Sequence, residues 1–351
     1  ILFGKILVYY YKNHYFYILI HDKFMIGSTE PWKHYYDVMN EGLVYIHSRA
    51  NGKVKSLKTQ WKQFNSIRLN GIEWQSLYVI AARPGVGKTL IAASLTRELQ
   101  ILNPDQDFAV LHFQFEMLGR NMALREFSAS NNLNIRYLQS AKDDGMPPLT
   151  ASDFEKLKEY ALKQKGRQEF VVDKALTVNE MYSTIIKFWE KFKKPFVITL
   201  DHTLLVKQSA GENTRQVTLQ NLATMMTEVK NMLPVTFIIL TQLNRDIDDA
   251  ERQKPGQLSN FPTEADVYGS DFLHQCADVM IAFNRPAKYN LHYYGNQQFV
   301  ITPSDKYLLA MHVLKNRFGE VGIQWYKAEY AKMTILEAPE PASRAPIKKT
   351  I

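Results

Sequence analysis

Residues 77–89 read LYVIAARPGVGKT. The first five are apolar and predict a buried strand, and the residues after the stretch place Ile91, Leu95 and Leu99 on one face of a helix. Small residues between a strand and a helix let backbone N–H groups turn toward a phosphate. The stretch therefore predicts a phosphate-binding loop, with Ala82 where the pattern GxxxxGK[ST] has its first glycine.

Each part of this loop has a chemical role. Gly85 and Gly87 allow the backbone to curl around phosphate oxygens, Lys88 can reach the β- and γ-phosphates, and the Thr89 hydroxyl can hold Mg²⁺. A nucleoside triphosphate with Mg²⁺ is therefore the expected ligand. The residues expected to contact it are Arg83, Pro84, Gly85, Val86, Gly87, Lys88 and Thr89.

Composition excludes several classes of protein. The chain has 351 residues, 46% of them hydrophobic, which is enough for one large core or for a core with an appendage. Its single cysteine, Cys276, excludes a disulfide framework and suits a reducing cytoplasm. The net charge of +8 is compatible with a nucleic-acid partner but does not demonstrate one. Lys5, Lys12 and His14 interrupt the apolar N-terminus, so no membrane association is expected.

The sequence divides into three parts. Residues 1–60 are expected to form an N-terminal segment, of which residues 1–24 precede the first methionine and are either non-native or the end of a fragment. Within it, residues 32–47 predict a short amphipathic helix. Its apolar stripe consists of Tyr36, Met39, Leu43 and Ile46. Residues 61–335 are the expected main domain, and the proline-containing residues 336–351 predict a disordered tail.

Short apolar strands alternate with helical segments through the main domain. This pattern predicts an α/β fold with a mostly parallel sheet covered by helices on both faces. The predicted strands are residues 77–81, 108–113, 170–172, 196–200, 235–240 and 279–283. Helices are predicted at 178–192 and around the stripe Leu219, Leu222, Met226, Val229 and Leu233. Residues 308–314 and 322–327 predict an antiparallel hairpin that turns at 318–320.

Polar side chains follow three of these strands. Ligands of open α/β sheets bind at the carboxyl ends of the strands. There Glu116 could polarise an attacking water, Asp201 could support the Mg²⁺, and Gln242 could bond to the γ-phosphate or its water. Each residue taken singly also fits a role at a helix start, a strand end or the surface. Their succession in a chain with a phosphate loop favours one catalytic site.

Over about residues 60–330 the chain resembles the C-terminal ATPase domain of DnaB-type replicative helicases, which has a RecA-like P-loop NTPase core. The matching segments are AARPGVGKT (81–89), FQFEM (113–117), LDHTLL (200–205), TQLNR (241–245), QCAD (275–278) and KNRFG (315–319). His202 stands where the family has a tyrosine. The resemblance implies ATP as the nucleotide and 5′ to 3′ movement on single-stranded DNA.

The last of these segments carries an implication about assembly. In the family, the lysine and arginine that match Lys315 and Arg317 reach into the ATP site of a neighbouring subunit. A guanidinium supplied by a neighbour stabilises charge on the transferring phosphoryl group. The resemblance therefore implies a homo-oligomeric ring, expected to be a hexamer.

Two loops are candidates for contact with DNA. The family contacts the strand through loops that correspond to residues 207–215 and 247–268 here, both of which are polar and long enough to be mobile. The candidate phosphate contacts are Lys207, Arg215, Arg252 and Lys254, which also fit as solvated loop charges. No aromatic ladder is present, so backbone tracking is expected instead of base stacking.

The chain also departs from full-length members of the family. Too few residues precede Met25 for the N-terminal helical domain that contacts primase. The chain is therefore expected to be a fragment or to come from a compact lineage such as a phage protein. A primase or a helicase loader is a possible partner, and the expected location is the cytoplasm, that of the host if the gene is a phage gene.

Two other functions fit the same motifs. A RecA-like recombinase would use the same loop, glutamate and aspartate while coating DNA without unwinding it. A nucleotide-switched assembly or loading factor would bind ATP tightly and hydrolyse it slowly. The segments at 241–245 and 315–319 favour the helicase over the recombinase.

Overall fold

A computed structural model describes residues 32–141, 144–145, 147–254 and 257–344 of the chain. The chain divides into two compact units, residues 1–55 and 56–351. In the first unit, helix α1 (Tyr35–Ala50) corresponds to the helix expected at 32–47. Its expected apolar stripe, represented by Met39 and Leu43, is exposed. The expectation about residues 1–24 lies outside the described residues.

The second unit is built from helices and strands in alternation. Its helices are α2 (Lys62–Ile67), α3 (Lys88–Thr96), α4 (Leu99–Leu102), α5 (Gly119–Ser130), α6 (Ile135–Gln139), α7 (Ala151–Lys163), α8 (Val178–Phe192), α9 (Arg215–Met232) and α10 (Ser270–Cys276). Its strands are β1 (Leu77–Ala82), β2 (Ala109–Gln114), β3 (Glu169–Val172), β4 (Phe196–Asp201), β5 (Val235–Gln242), β6 (Val279–Asn284), β7 (Tyr293–Tyr294), β8 (Phe299–Val300), β9 (Leu308–Asn316), β10 (Gly322–Glu329) and β11 (Thr334–Glu337).

Among the described residues, nine strands form one sheet in the order β11-β10-β9-β6-β1-β5-β4-β2-β3. The neighbouring strands β6-β1-β5-β4-β2-β3 run parallel to one another. Strands β9, β10 and β11 continue the sheet in antiparallel fashion. The expected mostly parallel sheet and the C-terminal hairpin are thus confirmed. None of the described helices combines the length and apolar character needed to cross a bilayer.

Both faces of the parallel part of the sheet are buried. Alternate residues of β1 serve different faces, because side chains alternate along a strand. Leu77 and Val79 join a core that includes α8 and α9, whereas Tyr78 and Ile80 join a second core that includes α2 and α3. The predicted stripe of α9 is buried throughout, whereas Tyr182 of α8 is 38% exposed.

The limits of the main domain differ from the expected ones at both ends. The second unit starts at Ser56, and buried Leu57 pairs with Ile72, so residues 56–60 belong to the domain and not to the N-terminal segment. At the other end, β11 extends to Glu337, and the Val300 N–H donates to the Ala342 carbonyl at 2.8 Å. The tail expected from residue 336 is therefore ordered through residue 344, because a sheet edge and strand β8 bind its backbone. Residues 345–351 lie outside the described part.

Candidate nucleotide site

The loop after β1 has the backbone that a phosphate cradle requires. Gly85 and Gly87 have φ angles of 80° and 100°, which side chains other than glycine rarely adopt. A Cβ on Gly87 would lie 3.1 Å from the Tyr330 ring. The Tyr330 hydroxyl donates to the Val86 carbonyl at 2.8 Å, so the ring supports the loop from below.

Lys88 begins α3 and is nearly buried. Its Nζ donates to the Ala82 carbonyl at 3.3 Å, which folds the side chain back along the loop. Burial lowers the pKa of Lys88, while the nearby carboxylates of Glu116 and Asp201 oppose that shift. Lys88, Glu116 and Asp201, which come from three separate segments of the sequence, thus lie near one another in the structure.

Asp201 ends β4 opposite Gln114, the last residue of β2. The Gln114 side chain donates from Nε2 to Asp201 Oδ2 at 3.1 Å. The other oxygen, Oδ1, is buried and has no hydrogen-bond partner among the described residues. An unpartnered carboxylate oxygen at a strand end fits a ligand of Mg²⁺ or of its waters, since hard cations prefer oxygen. The peptide bond between Asp201 and His202 is cis.

Glu116 lies just beyond β2 with its side chain 49% exposed, and His202 Nε2 is 3.9 Å from its Oε2. The Leu204 N–H donates to His202 Nδ1 at 3.2 Å. That bond assigns the proton of the neutral ring to Nε2, the nitrogen that faces Glu116. Burial lowers the pKa of His202, against the opposing charges of Asp201 and Glu116, so the neutral ring is favoured.

Gln242 ends β5 beside the phosphate loop. It is level with Ala82 in the sheet, and its carbonyl accepts from the Tyr268 N–H at 2.8 Å. The residue expected to sense the γ-phosphate is therefore bonded directly to the end of the loop expected to contact DNA.

Arg83, one of the residues expected to contact the nucleotide, directs its side chain toward other protein groups. Its Nη2 is 2.5 Å from Asp248 Oδ2, and its Nη1 donates to the Leu243 carbonyl at 3.0 Å. The Tyr289 hydroxyl donates to the second oxygen of Asp248 at 2.6 Å. Burial would raise the pKa of Asp248, but the bonds from Tyr289 and Arg83 outweigh it and hold the pKa below its usual value. The Arg83 side chain thus serves the protein, and only its backbone remains available to a phosphate.

Lys315 and Arg317 lie at the opposite end of the sheet from the phosphate loop. Lys315 Nζ donates to the His274 carbonyl, and an Arg317 guanidinium nitrogen donates to the Gln275 carbonyl at 3.1 Å. Arg317 also pairs with Asp278, whose carboxylate accepts from the N–H of Leu77, the first residue of β1. The phosphate loop follows the last residue of β1, about 17–20 Å along the strand.

The four residues expected to contact DNA fall into two groups. Lys207 and Lys254 are exposed, and Lys254 pairs with neighbouring Glu251. Arg215 instead donates to the Val206 carbonyl, and Arg252 makes a two-nitrogen bond to Asp266. Both guanidinium groups hold their own loops together.

The loop at 247–268 is also less free than expected. Arg252 binds the Ser259 and Phe261 carbonyls in addition to Asp266. Buried Asn260 donates to the Arg252 and Lys254 carbonyls at 2.6 and 2.8 Å. The described part of this loop is therefore braced by internal acceptors that take up the donors of Arg252, and a contact of Arg252 with phosphate stays a prediction.

Several residues that support the phosphate loop from outside the site were not predicted from the sequence. Asp248 bonds to Arg83 and Tyr330 bonds to the Val86 carbonyl, while Tyr289 bonds to Asp248; the three come from segments that are distant in the chain. Arg125 on α5 is also close, since Asp201 and Glu116 oppose the lowering of its pKa by burial. Only Asp248 carried a signal, since it lies six residues beyond Gln242 in the same segment.

The sheet order, the phosphate loop and the polar strand ends define a P-loop ATPase fold of the RecA-like type. The family model for the DnaB-like helicase C terminal domain matches residues 56–334. The chain belongs to this family.

The relatives agree with that assignment. The chain is 23% identical over 241 residues to the replicative DNA helicase DnaB of Buchnera aphidicola subsp. Baizongia pistaciae, covering 68% of this chain and 48% of that protein. It is 22% identical over 318 residues to the replicative DNA helicase DnaC of Bacillus subtilis, covering 88% of this chain and 63% of that protein. The chain thus spans about half to three-fifths of the length of these curated relatives.

Solved structures show the same fold. One of them, described as an ATPase domain, superimposes with a TM-score of 0.70 at 20% identity, covering 86% of this chain and 99% of that one. A second structure is described as that of a DnaB-like replicative helicase and its interactions with primase. It also gives a TM-score of 0.70 at 20% identity, covering 85% of this chain and 68% of that one.

Proposed function

We propose that this chain is the ATP-hydrolysing motor of a replicative DNA helicase, with Mg²⁺ as its metal and single-stranded DNA as its track. The observation that carries the proposal is a separation within one subunit. Lys88 and Asp201 lie at the carboxyl end of the parallel strands, whereas Lys315 and Arg317 lie at the amino end. One copy cannot bring all four residues to one phosphate, but adjacent copies in a closed ring can.

Within one subunit the chemistry is divided among the strand ends. Lys88 neutralises the β- and γ-phosphates, and Thr89 with Asp201 Oδ1 would hold Mg²⁺, which lowers the charge on the leaving phosphates. Among the described residues no three His, Cys, Asp or Glu side chains converge on a metal. That fits a cation held mainly by the nucleotide, because Mg²⁺ in such sites takes few protein ligands.

Glu116 acts as the base. Its carboxylate is half-exposed, so it can accept a proton from a water facing the γ-phosphate. The His202 ring, whose Nε2 is 3.9 Å from this carboxylate, is favoured in its neutral form and so adds no further positive charge to the site. Gln242 bonds to the γ-phosphate or its water, and Arg317 of the next subunit stabilises the charge that develops during transfer.

The ring is proposed to be a hexamer that moves 5′ to 3′ on the strand, in the cytoplasm of its cell or of a phage host. A helicase loader or a primase is a candidate partner. The support for a primase is that a solved DnaB-like replicative helicase is described with its interactions with primase.

The direct test is unwinding of a forked DNA duplex with ATP and Mg²⁺, run beside a strand-exchange assay. Unwinding with a free 5′ tail and an ATP-dependent mass of a ring support the proposal. Strand exchange without unwinding supports a recombinase, and tight ATP binding with negligible turnover in the presence of DNA supports a switched loading factor. Brisk hydrolysis by a protein that stays monomeric contradicts the ring.

A further inference from the structure

The contacts of Arg83 join two segments that the proposed function uses for different purposes. Arg83 belongs to the phosphate loop, and Asp248 follows the sensor strand β5 in the short 3₁₀ turn Arg245–Asp248. Arg83 binds Asp248 through Nε at 2.8 Å and through Nη2 at 2.5 Å, and Tyr289 binds the opposite carboxylate oxygen at 2.6 Å. We name this group, Arg83 with Asp248 and Tyr289, the loop clamp.

The loop clamp is built to transmit movement. The Arg83 side chain is only 13% exposed, and its third nitrogen holds the Leu243 carbonyl, so it has one preferred position. Between Leu243 and Asp248, the fully buried Ile247 anchors the segment in the core. A shift of the phosphate loop must therefore either move residues 243–248 or break both the two-nitrogen contact of Arg83 with Asp248 and its bond to the Leu243 carbonyl.

The same segment leads directly into the expected DNA loop. The Asn244 N–H donates to the Asp266 carbonyl at 2.6 Å, and Asp266 binds Arg252. The Tyr268 N–H bonds to Gln242. The contacts from the phosphate loop to residues 247–268 are thus continuous, through hydrogen bonds and two ion pairs.

We propose that Asp248 is a positioning residue that couples the phosphate loop to residues 247–268, so that single-stranded DNA bound there accelerates ATP hydrolysis. This inference rests on the proposed function. Asp248 holds Arg83 and leaves the backbone of the loop to the nucleotide. Loss of the Asp248 charge uncouples the phosphate loop from residues 247–268 without removing a contact to the nucleotide. The Arg83 charge near the phosphates is then no longer offset, so ATP affinity is retained.

The test compares ATP turnover of the intact protein with and without oligothymidylate. In Asp248→Asn the carboxylate charge is lost and an amide donor faces the guanidinium. The ratio of DNA-stimulated to basal turnover should fall at least about fivefold, the lower end of ordinary coupling between sites. The basal rate should remain. Asp248→Glu keeps the charge and should restore most of the stimulation.

Asp246→Asn is the matched control. Asp246 is exposed and precedes Asp248 by two residues, so the substitution removes the same charge from a neighbouring position. Coupling is reciprocal, so a non-hydrolysable ATP analogue that changes the Kd for oligothymidylate in the wild type should change it little in Asp248→Asn. A purely structural role would instead lower the melting temperature and both rates together. If Asp248→Asn does not fold, Tyr289→Phe removes one bond to the same carboxylate and should reduce the stimulation ratio in part.

The outcomes separate the two proposals. A wild-type protein that unwinds DNA and is stimulated by it, beside a folded Asp248→Asn with an unchanged stimulation ratio, overturns the coupling role alone. If only Tyr289→Phe folds, an unchanged stimulation ratio in that variant also overturns the coupling role alone. A wild-type protein whose ATP turnover ignores DNA overturns the helicase proposal and the coupling role with it.

Discussion

Arg317 pairs with Asp278 of its own chain at 3.4 Å, while its side chain stays 46% exposed. Asp278 is already held at 2.5 Å by buried Lys230 and at 2.9 Å by the N–H of Leu77. The aspartate therefore keeps its main partners when the guanidinium leaves. The cost of moving Arg317 away from Asp278, as its proposed role in a neighbouring subunit requires, is therefore small because exposed ion pairs contribute little.

A complementation experiment tests this arrangement. Lys88→Ala and Arg317→Ala should each suppress turnover, the latter by about 10³-fold or more if the guanidinium acts as in other phosphoryl-transfer enzymes. If the site is shared, mixing the two inactive proteins should restore part of the activity. In a mixed assembly, some interfaces join the Lys88 of an Arg317→Ala subunit to the Arg317 of a Lys88→Ala subunit, and these interfaces have both wild-type residues. Mixtures as inactive as their components would show that each site is complete within one chain.

Lys88→Ala should also lower ATP affinity. The ammonium sits among the charges of Glu116 and Asp201, so its loss leaves two carboxylates facing the phosphates. We expect steady-state hydrolysis to fall at least about 10²-fold, as for other groups that stabilise developing charge. Lys158→Ala, on the exposed face of α7, serves as the control and should behave as the wild type. Wild-type turnover in Lys88→Ala would remove the phosphate loop from the mechanism.

The role of Arg252 can be separated from that of Lys254 by salt dependence. Because Arg252 binds Asp266, Arg252→Ala and Asp266→Asn should weaken binding of single-stranded DNA to a similar extent, and the double variant should add little. Neither should change the slope of log Kd against log salt. Lys254→Ala should reduce that slope by about one if its exposed ammonium meets a phosphate. A reduced slope in Arg252→Ala would return it to the DNA contacts.

Two buried histidines predict loss of stability in acid. Burial lowers the pKa of His112 from 6.5 to about 4, and that of His312 to about 3. Between these values and 6.5 the unfolded chain binds protons that the folded chain excludes, so the free energy of unfolding falls as pH decreases below 6.5. Above pH 6.5 the contribution is fully present.

His112→Asn isolates half of this effect. It removes the titrating ring and can keep a bond to Thr199, which lies 2.8 Å from His112 Nδ1. The melting temperature of this variant should fall less than that of the wild type between about pH 7 and pH 5. Parallel curves for the two proteins would show that His112 does not control acid stability.

The division between sequence and structure is clear at particular residues. The largely apolar runs at 77–81 and 196–200 predicted strands, because strands buried on both faces consist mostly of apolar residues. Helix α8 has the bounds predicted from the sequence, and in the structure Thr177 and Glu180 form a capping box at its start. The short strands β7, β8 and β11 left no such signal, as two to four residues carry no reliable period.

The sequence by itself determined the phosphate loop, the succession of strands along the chain and the polar residues at their ends, because these depend on spacing along the chain. Only the tertiary structure decided what Arg83, Arg252 and Arg317 contact. A guanidinium can donate to a phosphate, a carboxylate or a carbonyl. Which of these it meets depends on residues that fold beside it from 7 to 165 positions away, and residue type alone does not encode that contact.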